Sequence, residues 1–448
     1  MSQERSAWYR ELNAYHWFVF TIASAAWFFD CLDQRLFSLA RIPALEHLAA
    51  SSDVQALGKN VTALFLIGWG VGGILFGPLG DRYGRTKMLT LTVLIYSMFT
   101  GLTFFSRTYW DFALFRFLTG MGVGGVFGLA VALIAETVPG SARAGALGTL
   151  QILSTIGNIS AGGVKSFIDF LEHSNVIEAG DGWRWMFLVG ALPALLVVFT
   201  MFYMKEPEPW LRLKEEGKLP KGGILSPYWT MLEETRWRRN LIVGALISSA
   251  GVIGLWAIGE YATDLQRKVF TLHYQEEGMA AEAIPAAVER ARTIAYLLQM
   301  IGAAVGMWFI TKLCIWLGRK PAFYIGFLGA LVVTLYVYWT MNSPMDAYWM
   351  MPLMWFFQLG VFAGFAIYLP ELFPSKLRST GTSFCYNLGR FAAAGGSFFS
   401  AKLATDVFAS DVPGLQERYA AMAMCAIFLI ALATLPFAPE TKGKPLPE

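Results

Sequence analysis

"AETVPGSARAG" (135–145) and "PELFPSKLRST" (370–380) are the stretches on which the fold turns. Each holds a glutamate, a proline and an arginine in one register: Glu136, Pro139 and Arg143, then Glu371, Pro374 and Arg378. Every member is displaced by 235 positions (371 − 136, 374 − 139, 378 − 143). A second pair, "RYGRTK" and "WLGRKP", matches at Gly84/Gly318 and Arg85/Arg319, 234 positions apart. Two independent motifs with nearly one offset indicate an internal duplication.

The duplicated unit is a membrane unit. Of 448 residues, 56% are hydrophobic and only 15% charged, against roughly 25% charged in a soluble domain. Forty-four glycines and sixteen tryptophans fit membrane helices, where glycine permits close approach and tryptophan sits at the interface. A crossing takes about 20 apolar residues. That ruler gives spans near 17–39, 60–79, 88–105, 111–135, 145–168 and 185–204, then 240–263, 291–316, 321–340, 348–369, 379–403 and 419–437. The expected organisation is an N-terminal six-helix bundle (1–204), a linker (205–239) with a short surface helix, a C-terminal six-helix bundle (240–437) and a tail (438–448). "DRYGRTK", the linker, "LGRK" and "PSKLR" are basic, whereas "DFLEHSNVIEAGDG" and "TDVFASDVPGLQE" are acidic. The positive-inside rule then puts both termini and the linker in the cytoplasm. The N-terminus lacks the cleavage site of a signal peptide.

Other classes find little support. A net charge of +3 gives no basic footprint for nucleic acid, and Cys31, Cys314, Cys385 and Cys425 show no CxxC spacing, so they read as buried small hydrophobes. The sequence has no GxSxG or HExxH, and its four histidines fall in loops or at helix ends. Neither an enzyme nor ATP drive is indicated. No cofactor or metal is implied.

"GPLGDRYGRTKML" (77–89) resembles the signature between helices 2 and 3 of the major facilitator superfamily, and "RFLTGMGVGG" (116–125) its helix 4 motif. "WRWMFLVGALPALL", "PELFPSKLRSTG" and "PETKGK" resemble the branch of sugar porters, organic-ion transporters and aromatic-acid or sialic-acid-type proton symporters. The resemblance covers the whole chain. It implies an all-α membrane protein of twelve transmembrane helices in two pseudo-symmetric halves, working by alternating access. "DCLD" (30–33) is similar to the D-G-x-D run in helix 1 of the proton symporters, with Cys31 in place of glycine and Arg35 added. The paired glutamines of sugar-porter helix 7 are missing from "SSAGVIGLWAIGEYATDL". Cys314 is read as standing where the aspartate of "GDRYGR" would be, which weakens a second gate.

Three groups of residues carry the chemistry. Asp81, Arg82 and Arg85, with Glu136, Arg143, Arg319, Glu371 and Arg378, are spaced to form a cytoplasmic gate of charge-assisted hydrogen bonds; a plain positive-inside anchor is the alternative. Asp30 and Asp33 lie inside helix 1, where an ionised group costs about 2.5–3.5 kcal/mol and needs a partner. Counting 1.5 Å per residue from the outer membrane surface, which helix 1 is expected to leave near Leu39 and helix 4 to enter near Trp110, puts Asp33 and Arg116 at one depth of about 9 Å. They are expected to pair, either as a proton-coupling switch with Asp30 as relay or as a fixed ion pair. Arg390 falls near mid-span in helix 11 with no acidic partner at its depth, since Glu371 is near the cytoplasmic end and Glu260 near the outer end of helix 7. An arginine on a water-filled cavity is a receiver for a carboxylate, or else a packing residue. Asn158, Gln299, Gln358, Asn387 and Trp355 are further mid-span candidates for the substrate site.

The expected function is proton-coupled symport of a small organic anion across the plasma (inner) membrane by a multi-pass monomer. Partners are a small-molecule substrate, protons and the lipid bilayer. A sugar or polyol carrier, and a transporter-like nutrient sensor, are the alternatives.

Overall fold

In the computed structural model, residues 7–49, 53–410, 412 and 414–447 are described, without the side chains at 260, 261, 263, 264, 396–401, 404 and 405, so that of Glu260 lies outside the described residues. The described chain is helical throughout. Twelve long helices follow the expected spans: α1 (Ala14–Leu48), α2 (Val54–Tyr83), α3 (Arg85–Thr103), α4 (Tyr109–Thr137), α5 (Gly140–His173), α6 (Gly182–Tyr203), α7 (Thr235–Gly259), α8 (Ile284–Trp316), α9 (Arg319–Thr340), α10 (Pro344–Leu372), α11 (Arg378–Lys402) and α12 (Leu415–Phe437). Eight are long and apolar enough to cross a membrane; α1, α3, α5 and α11 are less apolar. The linker folds into two short helices, Glu208–Glu215 and Ser226–Glu233.

Local chemistry sets the helix starts. Asn13 accepts from the His16 amide and Thr108 from the Asp111 amide, each in a reciprocal capping box. Several helices run past the apolar window. Helix α1 continues to Leu48, nine residues past Leu39 (48 − 39). Helix α7 passes through a π-helical turn (Gly254–Gly259) into a polar helix, Glu260–Glu276.

The chain forms two compact units, Met1–Ala245 with Ala366–Phe391 and Gly443–Glu448, and Leu246–Phe365 with Ala392–Lys442. In the first, α4 packs on α2 and α3 while α1 packs on α5, α4 and α6. Glycine makes the α2–α4 seam: a Cβ at Gly68 or Gly72 would overlap the carbonyl of Phe117 or Met121, and one at Gly120 or Gly124 that of Phe65 or Trp69. In lipid no hydrophobic force draws helices together, so this backbone contact supplies the attraction. The second unit repeats it, with Gly302 and Gly306 of α8 against the carbonyls of Pro352 and Phe356 of α10. The sharp turns into α3 and α9 are also alike. Gly84 has φ +115° and Gly318 φ +119°, a region open chiefly to glycine.

Candidate functional site

Four of the gate candidates, Asp81, Arg85, Glu136 and Arg378, assemble around the N-terminus of α11, inside the first unit. Asp81, at the end of α2, accepts from the amides of Ser379 (3.1 Å) and Thr380 (2.8 Å) and from the Thr380 hydroxyl (2.6 Å). A helix N-terminus offers unpaired N–H groups and a positive dipole end, so a carboxylate is the natural occupant. Arg85 holds Asp81 at 3.1 Å and Glu136 at 3.0 Å, and also donates to the Ser375 carbonyl. Arg378 closes the circuit on Glu136 at 2.6 Å and donates to the Pro447 carbonyl of the tail. Two carboxylates and two guanidiniums, all buried, thus neutralise one another.

The other gate candidates make further bonds. Arg82 donates to the Gly222 carbonyl of the linker (2.6 Å) and Arg143 to Ala135 (2.8 Å). Arg319 donates to Cys314 (3.0 Å), and Glu371 is buried at the end of α10. The Arg319 bond corrects the register of the second motif. Arg85 donates likewise to the Gly80 carbonyl, and 80 + 234 = 314, so Cys314 answers to Gly80 and Ile315 stands where the first copy has Asp81.

Sequence reasoning missed two supports. The Glu206 carboxylate accepts from the amides of Thr86 and Lys87 (both 3.1 Å), capping α3, and Glu440 accepts from Arg319 and Lys320 (both 3.0 Å), capping α9. Burial pushes Glu206 above the usual glutamate range despite those amides. Burial acts on Glu440 too, but the amides of Arg319, Lys442, Lys320 and Thr441 outweigh it and hold it below the usual value. Their separation, 440 − 206 = 234, was a signal in plain view.

Helix α1 builds the second cluster. Asp33 Oδ2 lies 3.5 Å from Arg116 Nη1 of α4, with both side chains fully buried. The Thr100 hydroxyl donates to Asp33 (3.0 Å), and Arg116 donates to Thr103 (2.7 Å) and sits 4.6 Å from the Phe187 ring centre. Gly190 of α6 makes room, because a Cβ there would press on Asp33 Oδ1. Asp30, one turn away, is equally buried.

Arg390 differs from expectation. It does not face an open cavity but is 1% exposed, with its guanidinium 3.4 Å from the centre of the Trp69 ring and 5.0 Å from that of Tyr386. Its Nε donates to Asn387 Oδ1 (3.1 Å), while Asn387 Nδ2 donates to the Gly124 and Ser383 carbonyls (3.1 and 2.8 Å). Tyr386 stacks on Phe127 at 3.6 Å, and Trp27 lies 5.1 Å from Phe127. Among the described residues, Arg390 Nη1 and the indole nitrogen of Trp27 are buried without hydrogen-bond partners. Asn158 donates back to Ser154 of its own helix (3.0 Å). In the second unit, Gln358 donates to Thr334 (2.9 Å) and keeps its Oε1 unsatisfied, beside Trp355 and the π-helical turn at Gly259; Gln299 is buried.

Comparison with known proteins bears on the whole chain. The sequence model of the Major Facilitator Superfamily matches residues 23–397. The chain belongs to that superfamily. As a member of the major facilitator superfamily it is a multi-pass membrane transporter and not an enzyme. It is 29% identical to a Haemophilus influenzae protein named for metabolite transport, over 97% of this chain and 99% of the relative. It is 25% identical to the cis,cis-muconate transport protein of Acinetobacter baylyi, over 84% of each. The solved structure of the proton:xylose symporter XylE superposes with a TM-score of 0.73 at 20% identity, covering 97% of this chain and 98% of that one. That likeness carries the twelve-helix, two-half fold.

Proposed function

We propose that this transporter is a proton-coupled symporter of a small organic anion, working by alternating access as a monomer in the plasma (inner) membrane with both termini cytoplasmic. The observation that carries this reading is Arg390. Among the described residues, a buried guanidinium with an unsatisfied Nη1, held against Trp69 and Tyr386, is suited to receive a carboxylate where desolvation strengthens the bond. The helix 1 aspartates lie in the same unit and supply the proton site, with Arg116 as the switch. Asn387 orients Arg390, and Asn158, Gln299, Gln358 and Trp355 are read as lining the substrate path. The Asp81–Arg85–Glu136–Arg378 cluster is the cytoplasmic gate, in its closed arrangement. The six-helix halves 1–204 and 240–437, joined by 205–239, are read as the moving bodies. The muconate-transporting relative accords with an organic acid as cargo. A neutral sugar or polyol is the second reading, favoured by Gln358 Oε1 beside Trp355, a pairing suited to a hydroxyl.

The test is proton movement into protein-loaded liposomes when organic acids or sugars are added outside. Acidification with acids, absent from protein-free vesicles and lost in Asp33→Asn, is the expected result. Acidification with sugars alone would favour the second reading, and labelled substrate equilibrating without protons would refute symport. Arg390→Lys keeps the charge but loses the planar fork and the stack on Trp69. Its apparent KM for a transported acid is expected to rise roughly tenfold or more, and an unchanged KM would remove Arg390 from anion recognition.

A further inference from the structure

The linker helix Ser226–Glu233 has two unlike faces. One is docked within the first unit, with Pro227 and Met231 buried. Tyr228 reaches furthest. Its hydroxyl donates to the Ile74 carbonyl of α2 (2.8 Å), and its ring lies 5.4 Å from that of Phe384 of α11. The bond has a backbone reason. Pro78, four residues on in α2, has no N–H to give the Ile74 carbonyl, so Tyr228 supplies the donor that the helix lacks. A carbonyl left bare at that depth would stand in hydrocarbon, where water does not satisfy it.

The other face is apolar. Leu225, Trp229 and Leu232, at i, i+4 and i+7, are exposed, Trp229 by 63%, and Ile224 beside them is exposed as well. Depth says what lies against this face. Ile74 is five residues inside the expected end of span 2 (79 − 74), and Phe384 five inside the expected start of span 11 (384 − 379), about 8 Å in each case. One tyrosine side chain covers most of that distance, so the helix itself lies at the boundary between hydrocarbon and headgroups. Tryptophan favours that layer, and an interfacial helix sinks its apolar face about 5–10 Å into it. Charge says which headgroups. Between 221 and 239 the ionic residues are all exposed, with Lys221, Arg236, Arg238 and Arg239 against Glu233 and Glu234. A surplus of cations at a membrane surface attracts anionic lipid.

We propose that this linker helix is a lipid-docking element. Leu225, Trp229 and Leu232 enter the acyl boundary of the leaflet on the linker's side, and Lys221, Arg236, Arg238 and Arg239 hold anionic phospholipid headgroups around it. The docking holds whatever the cargo and whether or not protons are coupled to it.

The test places a nitroxide spin label at Leu225→Cys or, as a control, at Thr230→Cys, which is exposed on the same helix but off the apolar face. The four native cysteines are buried. The full chain is read in nanodiscs of phosphatidylcholine alone, or of equal parts phosphatidylcholine and phosphatidylglycerol. In the mixed discs the label at Leu225 is expected to collide with oxygen and not with an aqueous nickel chelate, and to shift toward nickel in phosphatidylcholine alone. The label at Thr230 stays open to nickel in both. Replacing Lys221, Arg236, Arg238 and Arg239 together by glutamine is expected to abolish the difference between the two lipids. A Leu225 label open to nickel in the mixed discs overturns the proposal, as does one equally shielded in both lipids. Shielding from both reagents, with dipolar coupling between two labels, would mean that a second copy covers the face and would overturn it too.

Discussion

Arg85→Ala is expected to open the α2–α11 latch. Arg85 is the residue that both carboxylates share, and its loss strands Asp81 and Glu136 in a site with no exposure. Breaking a buried ion pair by removing one partner costs about 3–5 kcal/mol. Arg378 remains on Glu136 and the α11 amides remain on Asp81, which argues for the lower end. A loss of about 3 kcal/mol raises an open population about a hundredfold. The readout is maleimide labelling of a cysteine placed at Ser379, which is fully buried at the latch, on a background whose four native cysteines are all buried. Faster labelling in Arg85→Ala is the expected outcome; equal rates would mean that the cluster anchors the helix ends without gating them.

The second large effect concerns packing. Gly72→Ala adds one methyl group where the Met121 backbone already sits, and no rotamer change relieves a clash with a main-chain carbonyl. Overpacking of this kind costs about 1–3 kcal/mol, and here α2 and α4 must separate along a seam of four glycines. Gly162→Ala is the matched control. It lies in α5 with nothing within 4 Å of the new Cβ, and helix propensity alone favours alanine by up to about 1 kcal/mol. Thermal unfolding of the two variants in detergent should move in opposite directions. Equal midpoints would show that the α2–α4 contact is slack.

What the sequence disclosed and what it hid divide along physical lines. Span positions and the duplicated motifs were readable because each rests on local composition or a fixed offset. Asp33 was matched with Arg116 by counting depth from the expected membrane surface, and the two lie 3.5 Å apart. The burial of Arg390 was not legible because its surroundings come from far away in the chain. No periodicity announces that Trp69 turns its ring to a residue 321 positions later (390 − 69). The bonds of the other candidate gate arginines were hidden for a similar reason. Arg82 and Arg143 sit in the right motifs, but which arginine turns inward depends on the helix faces, and theirs lead to the carbonyls of Gly222 and Ala135.

The repeated contacts also show where the two copies differ in length. Gly68 and Gly302, Gly72 and Gly306, and Gly84 and Gly318 are 234 apart, whereas their facing partners Phe117 and Pro352, Met121 and Phe356, and then Arg143 and Arg378 are 235 apart. At Glu206 and Glu440 the spacing is 234 again. The second copy is therefore one residue longer than the first between Arg319 and Pro352, and one residue shorter between Arg378 and Glu440. Each interval contains a loop, and the paired helix contacts on either side keep their register across both.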